Sequence, residues 1–132
     1  MGIPPFSSPF SNGFRTFTFG FAGGQPAITG ADIPPNLIID NNVKIIQAYI
    51  NAKTAPSGAA LIVDILAGGS SIWASNPSNR LQLAANATTG NQVDFDTINL
   101  SKGQLLTLNV AQIGSSFAGQ DVVVQLVCKV MS

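Results

Sequence analysis

From Phe14 onward the apolar side chains recur at every second residue, and no stretch carries a sustained stripe at helical spacing. That period builds strands. The clearest run is 121–130, where Val122, Val124, Leu126, Cys128 and Val130 face one way and Val123, Gln125, Val127 and Lys129 the other. Phe17, Phe19 and Phe21 alternate with Thr16, Thr18 and Gly20, and 43–53 sets Ile46, Ala48, Ile50 and Ala52 against Val43, Ile45, Gln47, Tyr49 and Asn51. Leu61, Val63 and Ile65 alternate with Ile62, Asp64 and Leu66, and Gly68-Gly69 then turns the chain into Ser71-Ile72-Trp73-Ala74 as a β-hairpin. Further strands are expected over 92–100 and 104–113. Pro26, Pro34-Pro35, Pro56 and Pro77 interrupt the intervals where a helix would have to start. The expected fold is all-β: an antiparallel, two-sheet, jelly-roll-like sandwich of seven to nine strands. An immunoglobulin-type sandwich is the alternative, but Cys128 is the only cysteine and the usual disulfide has no second partner.

The 132 residues suit one domain, placed at 14–132, preceded by an N-terminal arm over 1–13. The arm is rich in Pro, Ser and Phe, has no charged side chain and shows no strand or helix period. Fixing its backbone costs on the order of 1–2 kcal/mol per residue, whereas burying a large apolar side chain returns roughly 2–3 kcal/mol. The arm is therefore either loose in the isolated protein or ordered on a neighbour, where Ile3, Phe6 and Phe10, with Phe14 at the junction, would be the side chains that find pockets. Several strands are apolar on both faces. Ile45, Tyr49, Val123 and Val127 leave more apolar surface than one core needs, so they are expected to line an inter-subunit face. Packing one outer face around a three-fold axis would cover it.

Catalysis has little to work with. There is no His and no Glu, and charged residues make up 9% of the chain, against about 25% in typical soluble domains. Ser70-Ser71 and Ser115-Ser116 adjoin glycines but lack a His base and are read as turn residues. The glycines of 67–70 lack the Lys and hydroxyl of a phosphate loop. Asp94 and Asp96, with Asp64 as a possible neighbour, form a weak calcium candidate without the six to eight oxygen ligands such an ion takes. Trp73 and Tyr49 are candidates for sugar stacking, with core or interface anchoring the plainer reading, and Cys128 is read as a small core residue. Neither a cofactor nor an enzymatic role is expected. The six cations are scattered through the sequence, which gives no basic stripe for nucleic acid. No run approaches the roughly 20 apolar residues of a membrane span, and the first residues do not read as a secretory signal, so synthesis in a host cytoplasm is expected. The sequons at Asn86 and Asn99 are then chance matches, and the long connection 74–89, rich in Asn, Ser and Thr, has no legible role.

Two stretches carry a resemblance. Asn51-Ala52-Lys53-Thr54-Ala55-Pro56-Ser57-Gly58-Ala59-Ala60-Leu61-Ile62-Val63-Asp64-Ile65 is followed by Gly69-Ser70-Ser71-Ile72-Trp73. Leu100-Ser101-Lys102-Gly103-Gln104-Leu105-Leu106-Thr107-Leu108-Asn109-Val110 is followed by Gln112-Ile113-Gly114-Ser115 and Ala118-Gly119-Gln120-Asp121. Together they resemble a small β-sandwich module of tailed-bacteriophage virion proteins, over about residues 16–130. The resemblance implies a capsid cement, or decoration, protein on the outer capsid surface of the virion. Its partners would be the major capsid protein and two further copies of itself, with the arm reaching onto the lattice. The same module also resembles tail and fibre components, so a receptor-binding adhesion module contacting host glycans is the alternative.

Overall fold

The computed structural model describes residues 13–20, 26–27, 29 and 36–131. Ile3, Phe6, Phe10 and Phe21 lie outside them. Ten strands follow in order: β1 (Phe14–Gly20), β2 (Leu37–Ile38), β3 (Val43–Thr54), β4 (Leu61–Ala67), β5 (Ser70–Ser71), β6 (Leu81–Leu83), β7 (Thr89–Gln92), β8 (Asn99–Leu100), β9 (Leu105–Gln112) and β10 (Gln120–Val130). They form two antiparallel sheets. The first runs β1-β10-β3-β7, with β8 also on β3; the second runs β2-β9-β4-β5, with β6 also on β4. Because β5 and β6 share one flank of β4, and β7 and β8 one flank of β3, eight strand positions result. Their order is that of two interlocked Greek keys, a jelly roll.

The alternating pattern explains the layering. In β4 the side chains of Leu61, Val63, Ile65 and Ala67 are buried and those between them half-buried, and β10 repeats this with Val122, Val124, Leu126, Cys128 and Val130. These inward rows meet Phe17 and Phe19 of β1 and Leu106, Leu108 and Val110 of β9 in one core. The hairpin between β4 and β5 turns on Gly68 and Gly69, both at positive φ (58° and 88°), the backbone that a two-residue turn matching strand twist requires.

Three features depart from the sequence reading. Val127 of β10 pairs with Gln47 but Cys128 pairs with Ile45, so Ile46 is an extra residue, a β-bulge. The bulge reverses the alternation, so Val43 and Ile45 join Ala48, Ile50 and Ala52 in the core while Ile46 turns outward. The expected strand over 92–100 is instead β7 and β8 joined by a non-strand connection. There the Gln92 side-chain oxygen accepts from the backbone N–H groups of Val93 and Asp94 (2.9 and 3.0 Å) and competes with sheet pairing. The connection 74–89 holds β6 and a 3-10 turn at Pro77–Asn79, with Leu81 and Leu83 fully buried.

Gly90 marks where the two sheets close at this edge. A Cβ there would run into the carbonyl oxygen of Gln82 in β6 and lie 3.2 Å from Ile50 Cγ2. Gly90→Ala must push β6 and β7 apart and is expected to cost about 1–3 kcal/mol, the range for overpacking a filled site. Urea unfolding of the variant checks this; an unchanged midpoint would mean that the two strands are not held so close.

Candidate docking surface

Of the groups weighed for catalysis or metal binding, Asp64, Ser71 and Asp96 are held by hydrogen bonds within the fold. Ser71 Oγ donates to Asp64 Oδ1 (2.6 Å) and accepts from the Trp73 backbone N–H (3.0 Å), which ties the β4–β5 hairpin to the start of the next connection. Asp96 accepts from the backbone N–H groups of Ser75 and Asn76 (both 2.9 Å) and from Asn76 Nδ2 (2.6 Å). The Asn76 side-chain bond, then those backbone bonds, holds its carboxyl below the usual carboxylate range. Asp94 lies in the connection and offers its carbonyl to Trp73, so the two carboxylates do not share a strand face. Among the described residues no three His, Cys, Asp or Glu side chains are grouped as metal ligands. Ser116 N–H donates to the Ser57 carbonyl (3.0 Å) as part of a turn. Trp73 is 1% exposed, which removes it from sugar stacking and makes it a core anchor.

Cys128 is buried in the core, and desolvation pushes its thiol up to about 12. The thiol therefore stays protonated at neutral pH and does not act as a nucleophile. Alkylating reagents are expected to leave it untouched in the folded protein and label it at the rate of unfolding. Since the folded value is raised, this group's contribution is complete below the free-thiol value of 9.0 and is lost as pH climbs from there toward about 12. Rapid labelling of the native protein at neutral pH would contradict this placement.

What remains is surface. The outer face of the first sheet carries Thr16 and Thr18 of β1, Val123, Gln125 and Val127 of β10, Gln47, Tyr49 and Asn51 of β3, and Thr89 and Asn91 of β7, aligned by register. Its centre is uncharged. Tyr49 is exposed, lining a shallow depression with Thr89, Gly90 and Asn91, and Val123 and Val127 are half-buried, so these three share the expected outer face. Ile45 does not: the bulge at Ile46 turns it into the core at 3% exposure, and Ile46 stands outside in its place. Phe14 belongs to β1, paired with Lys129, rather than to the arm, and its ring is 62% exposed.

The antiparallel register also gathers residues that lie far apart in sequence. Lys44 sits directly across from Lys129, and the Lys102 backbone N–H donates to Asn42 Oδ1 (2.9 Å), so three of the six cations meet at one end of the sandwich. Only strand pairing reveals this, and it corrects the reading that the cations are scattered.

No protein-family model and no curated protein sequence matches the chain. Among solved structures, it is similar to a chain of the capsid of Ralstonia phage GP4, at 13% identity, over 92% of this chain and 86% of that one, with a TM-score of 0.54. The chain has the fold of a phage capsid chain. It also aligns with a chain of the cyanophage Pam1 capsid asymmetric unit, at 9% identity over 92% and 87% of the two chains, with a TM-score of 0.46. The GP4 likeness spans nearly all of both chains. The fold likeness carries no residue roles at this identity. The surfaces above stand on their own chemistry.

Proposed function

We propose that this chain is a bacteriophage capsid cement protein, attached as a trimer to the outer surface of the head, where it binds the major capsid protein and stiffens the lattice. The observation that carries the reading is the near end-to-end fold likeness to a chain of a phage capsid. The surface chemistry supports it. A sandwich whose outer sheet face is uncharged at its centre, with Tyr49, Val123 and Val127 accessible, suits burial against other protein far better than contact with water alone. A homotrimer packed through that face would cover those residues by closed symmetry. The arm over 1–13 would add contacts on the lattice. Each contact made after the first is intramolecular, so a trimer with three arms gains avidity far above that of a single site.

Immunogold labelling of intact virions with an antibody to this chain tests the location. Dense, regular label over the head is the expected result. Label confined to the tail would replace the cement role with the adhesion-module reading. Light scattering on the purified protein tests the stoichiometry, with a particle three times the 13.6 kDa chain mass expected.

A further inference from the structure

We infer that the end of the sandwich carrying Lys44, Lys102 and Lys129 is the end that meets the capsid, docking on an acidic, partly apolar patch of the shell protein. This deepens the cement reading and rests on it. Phe14, Lys129, Lys44 and Asn99 form one cross-strand row over β1, β10, β3 and β8. Directly opposed side chains on a sheet have Cβ atoms about 4.5–5.5 Å apart, and like charges so placed destabilise the pair. The fold nevertheless sets two exposed ammonium groups there, flanked by residues that bear no negative charge. Lys102 lies beside them through Asn42, whose carbonyl also accepts from the Met131 N–H (2.8 Å). The carboxylate nearest in sequence, Asp40, pairs with Arg15 (3.3 Å), which is the one ion pair among the described residues. At the opposite end Lys53 and Asp121 offer one charge of each sign. Lys44, Lys102 and Lys129 therefore have no carboxylate partner among the described residues.

The same end is apolar. Ile38 and Leu105, partners across β2 and β9, are 61% and 41% exposed, Met131 is 44% exposed, and Phe14 and Ile46 stand on the adjoining face. Exposed apolar chains collected at one end and interleaved with unpaired cations match a protein surface that supplies both carboxylates and apolar pockets. A phosphate backbone would satisfy the lysines and leave those side chains in water, so nucleic acid is the poorer fit. The chain also enters here, since the Gly13 carbonyl accepts from the Val130 N–H (2.8 Å).

The test uses full-length protein added back to heads that lack it. Lys129→Glu turns the Lys44–Lys129 repulsion into an opposite-charge pair, so the variant should melt no lower than the wild type. Its affinity for heads should nonetheless fall about tenfold or more, as charge reversal against an acidic partner demands. Lys102→Glu should act in the same direction, Lys53→Glu at the far end should leave attachment unchanged, and wild-type binding should weaken as salt approaches about 1 M, where screening extends to about 3 Å. Wild-type attachment matched by both variants at this end would overturn the inference while leaving the cement reading in place. Failure of the wild type itself to bind heads would remove the cement reading and this inference with it. If the substitutions instead changed the protein's own oligomeric state or its retention of duplex DNA, the end would belong to a copy-to-copy contact or a nucleic-acid site, and the inference would fall.

Discussion

Replacing Trp73 with Ala is expected to cost the domain about 3–5 kcal/mol, the usual range for truncating a large buried aromatic. The ring is 1% exposed, stacks on Phe95 with centroids 5.7 Å apart and planes 28° from parallel, and donates through Nε1 to the Asp94 carbonyl (2.8 Å). It thereby joins the segment after β5 to the connection between β7 and β8. Ala would leave a void, strip the stacking partner from Phe95 and orphan a carbonyl. Against a total stability of about 5–15 kcal/mol for a domain, that loss takes roughly a fifth or more. Trp73→Phe keeps an aromatic surface but no donor and should cost less. Urea denaturation followed by circular dichroism measures both. A loss under about 1 kcal/mol for the Ala variant would mean that the Trp73–Asp94–Phe95 cluster does not anchor the edge of the sandwich.

Removing residues 1–12 is expected to have the largest effect on attachment and almost none on folding. The described sandwich closes its own core without them, and β1 begins at Phe14. Loss of three arms from a trimer would remove contacts that act at high effective concentration, and avidity gains of that kind amount to about 10²–10⁴-fold. Truncated protein should therefore unfold at the wild-type midpoint yet be lost from heads at concentrations where the wild type saturates them. The substitutions Phe6→Ala and Phe10→Ala together should reproduce part of that loss. Full occupancy by the truncated protein would end the arm's role, and a midpoint lowered by several degrees would assign those rings to the domain's own core.

The sheets were legible in the sequence wherever the alternation is long and unbroken. The runs that became β4, β9 and β10 could be recognised from their side-chain pattern, and so could the Gly68-Gly69 hairpin. The bulge at Ile46 was not legible, because one extra residue in an apolar run leaves no composition signal and shows itself only when β3 is set against β10. That single residue decides that Ile45 is core and Ile46 is surface. β6 was missed because three residues, Leu81-Gln82-Leu83, are too few to establish a period inside a polar connection. The strand expected over 92–100 failed for the opposite reason: its apolar residues are real, but the Gln92 and Asp96 side chains take up the backbone N–H groups of that connection and of 75–76. Of the surface, Tyr49, Val123 and Val127 could be found from two-faced strands. The lysine-bearing end could not, since Lys44, Lys102 and Lys129 meet only through antiparallel register.

As a cement protein, this jelly roll would sit on the outside of a phage head. A cryo-electron microscopy reconstruction of the mature head tests it most directly. Trimers of the sandwich are expected on the outer surface, at three-fold or quasi-three-fold positions, with Lys44, Lys102 and Lys129 turned toward the shell. A fully resolved head without this sandwich, or its density in the tail alone, would contradict it.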